Sequence, residues 1–269
     1  MAELNGGMPK KDQDSSNVVE RIKEIRKQRI ESGEIVNTPT AIFFFPFLRD
    51  ERYLNSPNHE AIRQLAGAEN TVEYAQKVIR DLRIKKPIII TREIPNDDKR
   101  GIIIPSMGFG GIALSDKEVK LYFDPAHPNV VESLSGWSGR QIAHELNHIA
   151  RWQVHKLGKT LLDAIIFEGL ATYSEERWDG EYKATKWGRA LNPVQIRDEW
   201  QQAQHELDSI SYNYTSWFFG RGGNHPIWTG YSLGTAVINA YFQRHPGVKM
   251  ADVVRMPSKK ILKESRFSV

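Results

Sequence analysis

The chain has 269 residues, 40% apolar and 26% charged, a size and balance that allow a substantial buried core. Its net charge of +4 is spread along the chain without a recognised nucleic-acid motif, which argues against a nucleic-acid partner. With no cysteine, disulfides, thiolate metal sites and a cysteine nucleophile are excluded, so any metal must be held by His, Asp or Glu.

Residues 1–16 are polar and are expected to be disordered; they lack the apolar segment of a secretory signal. No apolar run is long enough to span a bilayer, so a cytoplasmic protein without a membrane partner is expected. Val18, Ile22 and Ile25 fall at helical spacing and predict an amphipathic helix over 17–33. Residues 1–33 then form an N-terminal appendage, and 34–269 the functional domain. "AIFFFPFL" is the most apolar stretch, short and broken by Pro46.

Residues 57–84 read as one or two helices, with Ile62, Leu65, Val72, Ala75, Val78, Ile79 and Leu82 on the apolar face. The period then changes. "KPIIITREI" is a β-branched run, followed by the turn "PNDDKRG" and a further run, "IIIP". "GFGGIALSDKEVKLYFDP" predicts two strands around a turn at Ser115 to Lys117, giving a small mixed or antiparallel sheet. From Ser138 the pattern is helical: "SGRQ" has the form of a capping box and Gly158 ends the helix it opens. Thr160 starts the next helix, which runs to about Trp178. Further helices are expected at 193–208, 230–244 and 258–266. A small sheet followed by a helical lobe is an α+β arrangement.

The stretch "RQIAHELNHIARW" carries the chemistry. Positions i and i+4 of a helix lie about 40° apart around the axis and about 6 Å along it, so His144 and His148 can touch one ion. Glu145 is about 100° round from His144, placed to act on a water at the open side of that ion rather than to ligate. His155 is about 10 Å further along and too far to join. With Arg at 151 and Val at 154, the longer metzincin spacing is also absent. The third ligand is expected from "LLDAIIFEGLATY", where Glu168 is a lone charge in an apolar helical run. A short connection at Gly158 returns that helix antiparallel to the first. Two histidines and one glutamate leave a fourth position open, the pattern of a catalytic zinc.

With "HELNH" and "FEGLATY" in place, the chain resembles the gluzincin metallopeptidases. More narrowly, it resembles a bacterial family of predicted zinc-dependent proteases still called a domain of unknown function. The likeness covers roughly residues 85–266. It implies a zincin-like fold, one zinc ion per chain on His144, His148 and Glu168, Glu145 as the catalytic glutamate, and a peptide or protein substrate. The chain departs from better-studied gluzincins at Phe167, where several have Asn, and at Thr172, where thermolysin-like enzymes have an acid that orients a ligand histidine.

A developing oxyanion usually needs one donor besides the metal. Tyr231, which opens a helix in "WTGYSLG", is favoured over His225 in "GRGGNHPIW"; a packed core tyrosine is the competing reading. "GFGGIALS" is either an edge that pairs with an extended peptide or a bulged hairpin. "YNYTSWFFGRGG" is a cleft wall, a lid or plain core. The rival to a peptidase is a non-catalytic metal-binding or interaction module built on the same fold.

Overall fold

The computed structural model describes residues 12–97, 101, 103–156 and 158–267, with side chains described from residue 20 onward. The disorder expected at residues 1–11 lies outside these. Residues 12–16, expected to be disordered too, are instead the first turns of a helix, α1 (Asp12–Glu31). Its Ile22, Ile25 and Ile30 are exposed, and Arg29 reaches back to Glu34 at 3.6 Å.

Next come two strands that the sequence reading did not assign, β1 (Ile35–Asn37) and β2 (Ala41–Phe44). Phe43, Phe45 and Phe47 are fully buried, and Pro46 ends the strand and opens a short 3-10 turn. Helices α2 (Glu51–Leu54), α3 (His59–Ala66) and α4 (Ala68–Leu82) lead to β3 (Ile88–Glu93). Of the "IIIP" run, the described residues 103–105 are not in a strand. Ile104 instead donates its N–H to the Phe109 carbonyl as the chain turns into β4 (Phe109–Ala113), and β5 (Glu118–Phe123) follows. The five strands lie in the order β1-β2-β3-β5-β4, with β2, β3 and β5 parallel and both outer strands antiparallel to their neighbours. The sheet is therefore mixed, and β4 is an edge.

The helical half begins with α5 (Val130–Trp152), longer at its start than "SGRQ" suggested. Buried Val130 and Leu134 carry the helix through that stretch, so Ser138 and Gln141 sit in its middle and cap nothing. It also ends before Gly158. His155 lies beyond its last turn, with Nε2 2.8 Å from the Arg255 carbonyl. Helix α5 lies against β4 and β5, with α3 and α4 packed on it.

Helix α6 (Leu161–Glu176) opens as expected, on a reciprocal cap between Thr160 and Asp163. It runs antiparallel to α5: His148 meets Phe167, His144 meets Glu175, and Arg140 reaches Asp179. Helices α7 (Pro193–Glu206), α8 (Tyr214–Phe219), α9 (Thr229–Arg244), α10 (Met250–Val253) and α11 (Ser258–Ser265) complete the lobe. Where α9 crosses α6 the backbones touch. A Cβ on Gly234 would lie 2.2 Å from the Ile165 carbonyl oxygen, and one on Gly169 2.5 Å from the Gly234 backbone. Among the described residues no helix is long and apolar enough to cross a membrane.

Candidate metal centre

The antiparallel packing of α5 and α6 brings His144, His148 and Glu168 together. One ligand atom from each lies within 4.8 Å of the others. Nε2 of each histidine is 3.5 Å from Glu168 Oε2. Four ligands at zinc bond lengths stand about 3.4 Å apart at the corners of a tetrahedron, so the two 3.5 Å separations suit that ion. Glu168 Oε2 is buried and has no hydrogen-bond partner among the described residues, as a carboxylate oxygen reserved for a cation would be. Burial works against its charge, but the histidines beside it hold its pKa down, at about 2.

The surroundings fix the ligands in two different ways. His144 Nδ1 lies 2.8 Å from Glu175 Oε2, so that nitrogen donates its proton and leaves Nε2 directed at the metal position. Burial disfavours the charged ring, yet the Glu175 and Glu168 carboxylates keep the His144 pKa well above its ordinary value. The same Glu175 oxygen accepts from Trp187 Nε1 at 3.1 Å, and Arg140 Nη1 donates to the Glu175 main-chain carbonyl. His148 has no such acceptor among the described residues: its Nδ1 is buried and unpaired there. Phe167 stacks on its ring instead, at 4.0 Å between centroids and 12° between planes. Position 167 thus packs on His148, and the carboxylate beside His144 comes from Glu175 rather than from position 172, which is threonine. Sequence reading missed Glu175, although an acid two turns beyond Glu168 falls on the same helix face.

Glu145 is 6% exposed and stands outside the ligand triad, in the same cavity. Burial raises its carboxyl to about 7, against the lowering effect of His144. It lies under β4: a Cβ on Gly111 would come 2.7 Å from Glu145 Oε1, so only glycine lets the strand approach this closely. Along β4, the bonds of Gly108 to Asp124 and of Leu114 to Glu118 set the ladder parity. That parity turns the N–H and C=O of Gly111 away from β5, toward the open edge.

The cavity has a volume of 410 Å³, and Tyr231, Trp228 and Tyr214 form the wall supplied by the helical lobe. Tyr231 is half-buried, and burial together with nearby Glu168 raises its pKa well above that of an ordinary tyrosine, so its hydroxyl stays protonated. His225 does not line this cavity. Its Nδ1 is 2.7 Å from Glu199 Oε2, and its ring stacks on Trp217 at 3.6 Å. Tyr214, also missed from the sequence, donates to Glu168 Oε1 at 3.3 Å. The aromatic segment around it divides: Trp217 and Phe218 are core, while Tyr214 and Phe219 face the cavity.

Residues 68–263 match the family model described as predicted Zn-dependent protease (DUF2268). The chain belongs to this family. The match spans the sheet from β3 onward and both helices of the triad. Searches of curated proteins and of solved structures found no match. The family description and the His-His-Glu cluster agree on a zinc-compatible centre.

Proposed function

We propose that the protein is a zinc-dependent peptidase with a zincin-like architecture, holding one zinc ion on His144, His148 and Glu168. The observation that carries this reading is the unpaired, buried Glu168 Oε2 at 3.5 Å from both histidine Nε2 atoms, with Glu145 in the same cavity. Zinc held there supplies a Lewis acid that brings the ionisation of water near pH 7 and polarises a carbonyl. Glu145 takes the proton of the attacking water and returns it to the leaving amine, from its place in the cavity beside the three ligands. Tyr231 donates a hydrogen bond from its hydroxyl to the oxyanion as it develops. An extended peptide adds to the open edge of β4, where Gly111 offers an N–H and a C=O.

The test combines metal content with turnover. Zinc is expected at one per chain in the wild type and lost in His148→Ala and Glu168→Ala. Glu145→Gln should keep zinc and fold while hydrolysing a peptide library at least ~100-fold more slowly. Equal zinc in wild type and His148→Ala would sink the ligand assignment. Zinc-loaded protein that cleaves no peptide, yet loses its fold on chelation, would leave a structural metal module instead.

A further inference from the structure

Gln141 lies one turn before His144 and Glu145 on α5 and lines the same cavity. It is 4% exposed, and among the described residues neither its Nε2 nor its Oε1 has a hydrogen-bond partner. Around the helix it falls about 60° from His144 and about 20° from His148, on the stripe that faces the metal position. A leucine would fill such a place at no polar cost, whereas a buried, unpaired carboxamide is expensive to keep. Across the cavity runs β4, with the N–H and C=O of Gly111 turned to its open edge. A carboxamide offers donors on one atom and an acceptor on the other, which matches the N–H and C=O of one extended residue of a peptide, since both point to the same side.

We propose that Gln141 binds the main-chain N–H and C=O of one substrate residue beside the scissile bond. Its Nε2–H donates to the peptide carbonyl, and its Oε1 accepts the peptide N–H. The assignment rests on the peptidase reading above and adds a substrate requirement to it. At one position flanking the cleaved bond the substrate must present a secondary amide, so a proline or an N-methylated residue is rejected there.

The experiment uses a peptide that the zinc-loaded wild type cleaves, together with copies N-methylated in turn at each residue flanking the cleavage point. One methylation should lower wild-type kcat/KM by tenfold or more. Gln141→Leu should lose about tenfold on the parent peptide and lose nothing further on that methylated copy, because the lost bond is the same one. A binding arm uses zinc-loaded Glu145→Gln, whose turnover is slow enough to leave the peptide intact during the measurement; adding Gln141→Leu should weaken its Kd for the parent peptide by a similar factor. The melting temperature of Gln141→Leu should equal or exceed that of wild type, since two unpaired buried groups are removed. Wild-type kinetics in Gln141→Leu, an equal loss on every peptide, or a lowered melting temperature each overturn the assignment while the peptidase reading stands. A zinc-loaded wild type that cleaves no peptide overturns that reading and this one with it.

Discussion

Glu175 Oε2 lies 2.8 Å from Nδ1 of His144 and is contributed by the helix that carries Glu168, so one helix supplies both a candidate ligand and the brace for another candidate ligand. The brace sets which nitrogen of His144 is free for the metal and makes that nitrogen more basic. Glu175→Gln keeps the shape and loses the charge. Its zinc affinity should fall about 10- to 100-fold, read by competition with a chelator of known affinity. Unchanged affinity would show that packing alone orients the ring.

Tyr231→Phe removes only a hydroxyl. On the reading above, folding and zinc content should be retained and turnover should fall by ~10²- to 10³-fold, because that hydrogen bond matters chiefly in the transition state. Steady-state kinetics and elemental analysis on the same preparation decide it. His225→Ala is the matched control: its partner Glu199 and stacking residue Trp217 place it outside the cavity, so it should cost stability and spare turnover. A larger rate loss at His225 than at Tyr231 would reverse the assignment.

The start of α6 should respond to acid. Burial raises the Asp163 carboxyl, but hydrogen bonds from Ser258 and Thr160 and the charge of Arg151 outweigh this, so its folded pKa is lowered. A carboxylate with a lowered folded pKa contributes stability above its unfolded pKa of about 3.9, and that stability is lost as pH falls through the folded value. Melting temperatures of metal-free wild type should therefore drop more steeply below about pH 4 than those of Asp163→Asn. Parallel curves would mean that Asp163 adds no pH-dependent stability.

The triad could be read in the sequence because helix geometry ties His144 to His148 whatever the rest of the fold does, and because Glu168 stands alone among Ile165, Ile166 and Phe167. Glu175 could not be singled out, since it sits beside Glu176 in a polar stretch and resembles a solvated helix end. Only the packing of α5 and α6 shows that both glutamates are buried. Strands β1 and β2 were hidden for a related reason. They are short, and the partner that makes β2 a strand, β3, arrives only after three intervening helices. The error at "SGRQ" runs the other way: a good local cap signal was overridden by burial of Val130 and Leu134 in the preceding turns. The same error concealed Gln141, which as a cap residue would have been spent on its own backbone.

The crossing at Gly169 and Gly234 brings main chain against main chain, one residue from Glu168 and one turn from Tyr231. Interdigitated side chains can change rotamer and let two helices slide, but a contact between backbones has nothing to rearrange. The carboxylate and the tyrosine are therefore joined by a rigid strut, and a displacement of one helix carries the other with it. On the peptidase reading, adaptation to substrates of different bulk then falls to the opposite wall, the β4 edge, and to the loop around Trp228 that leads into α9.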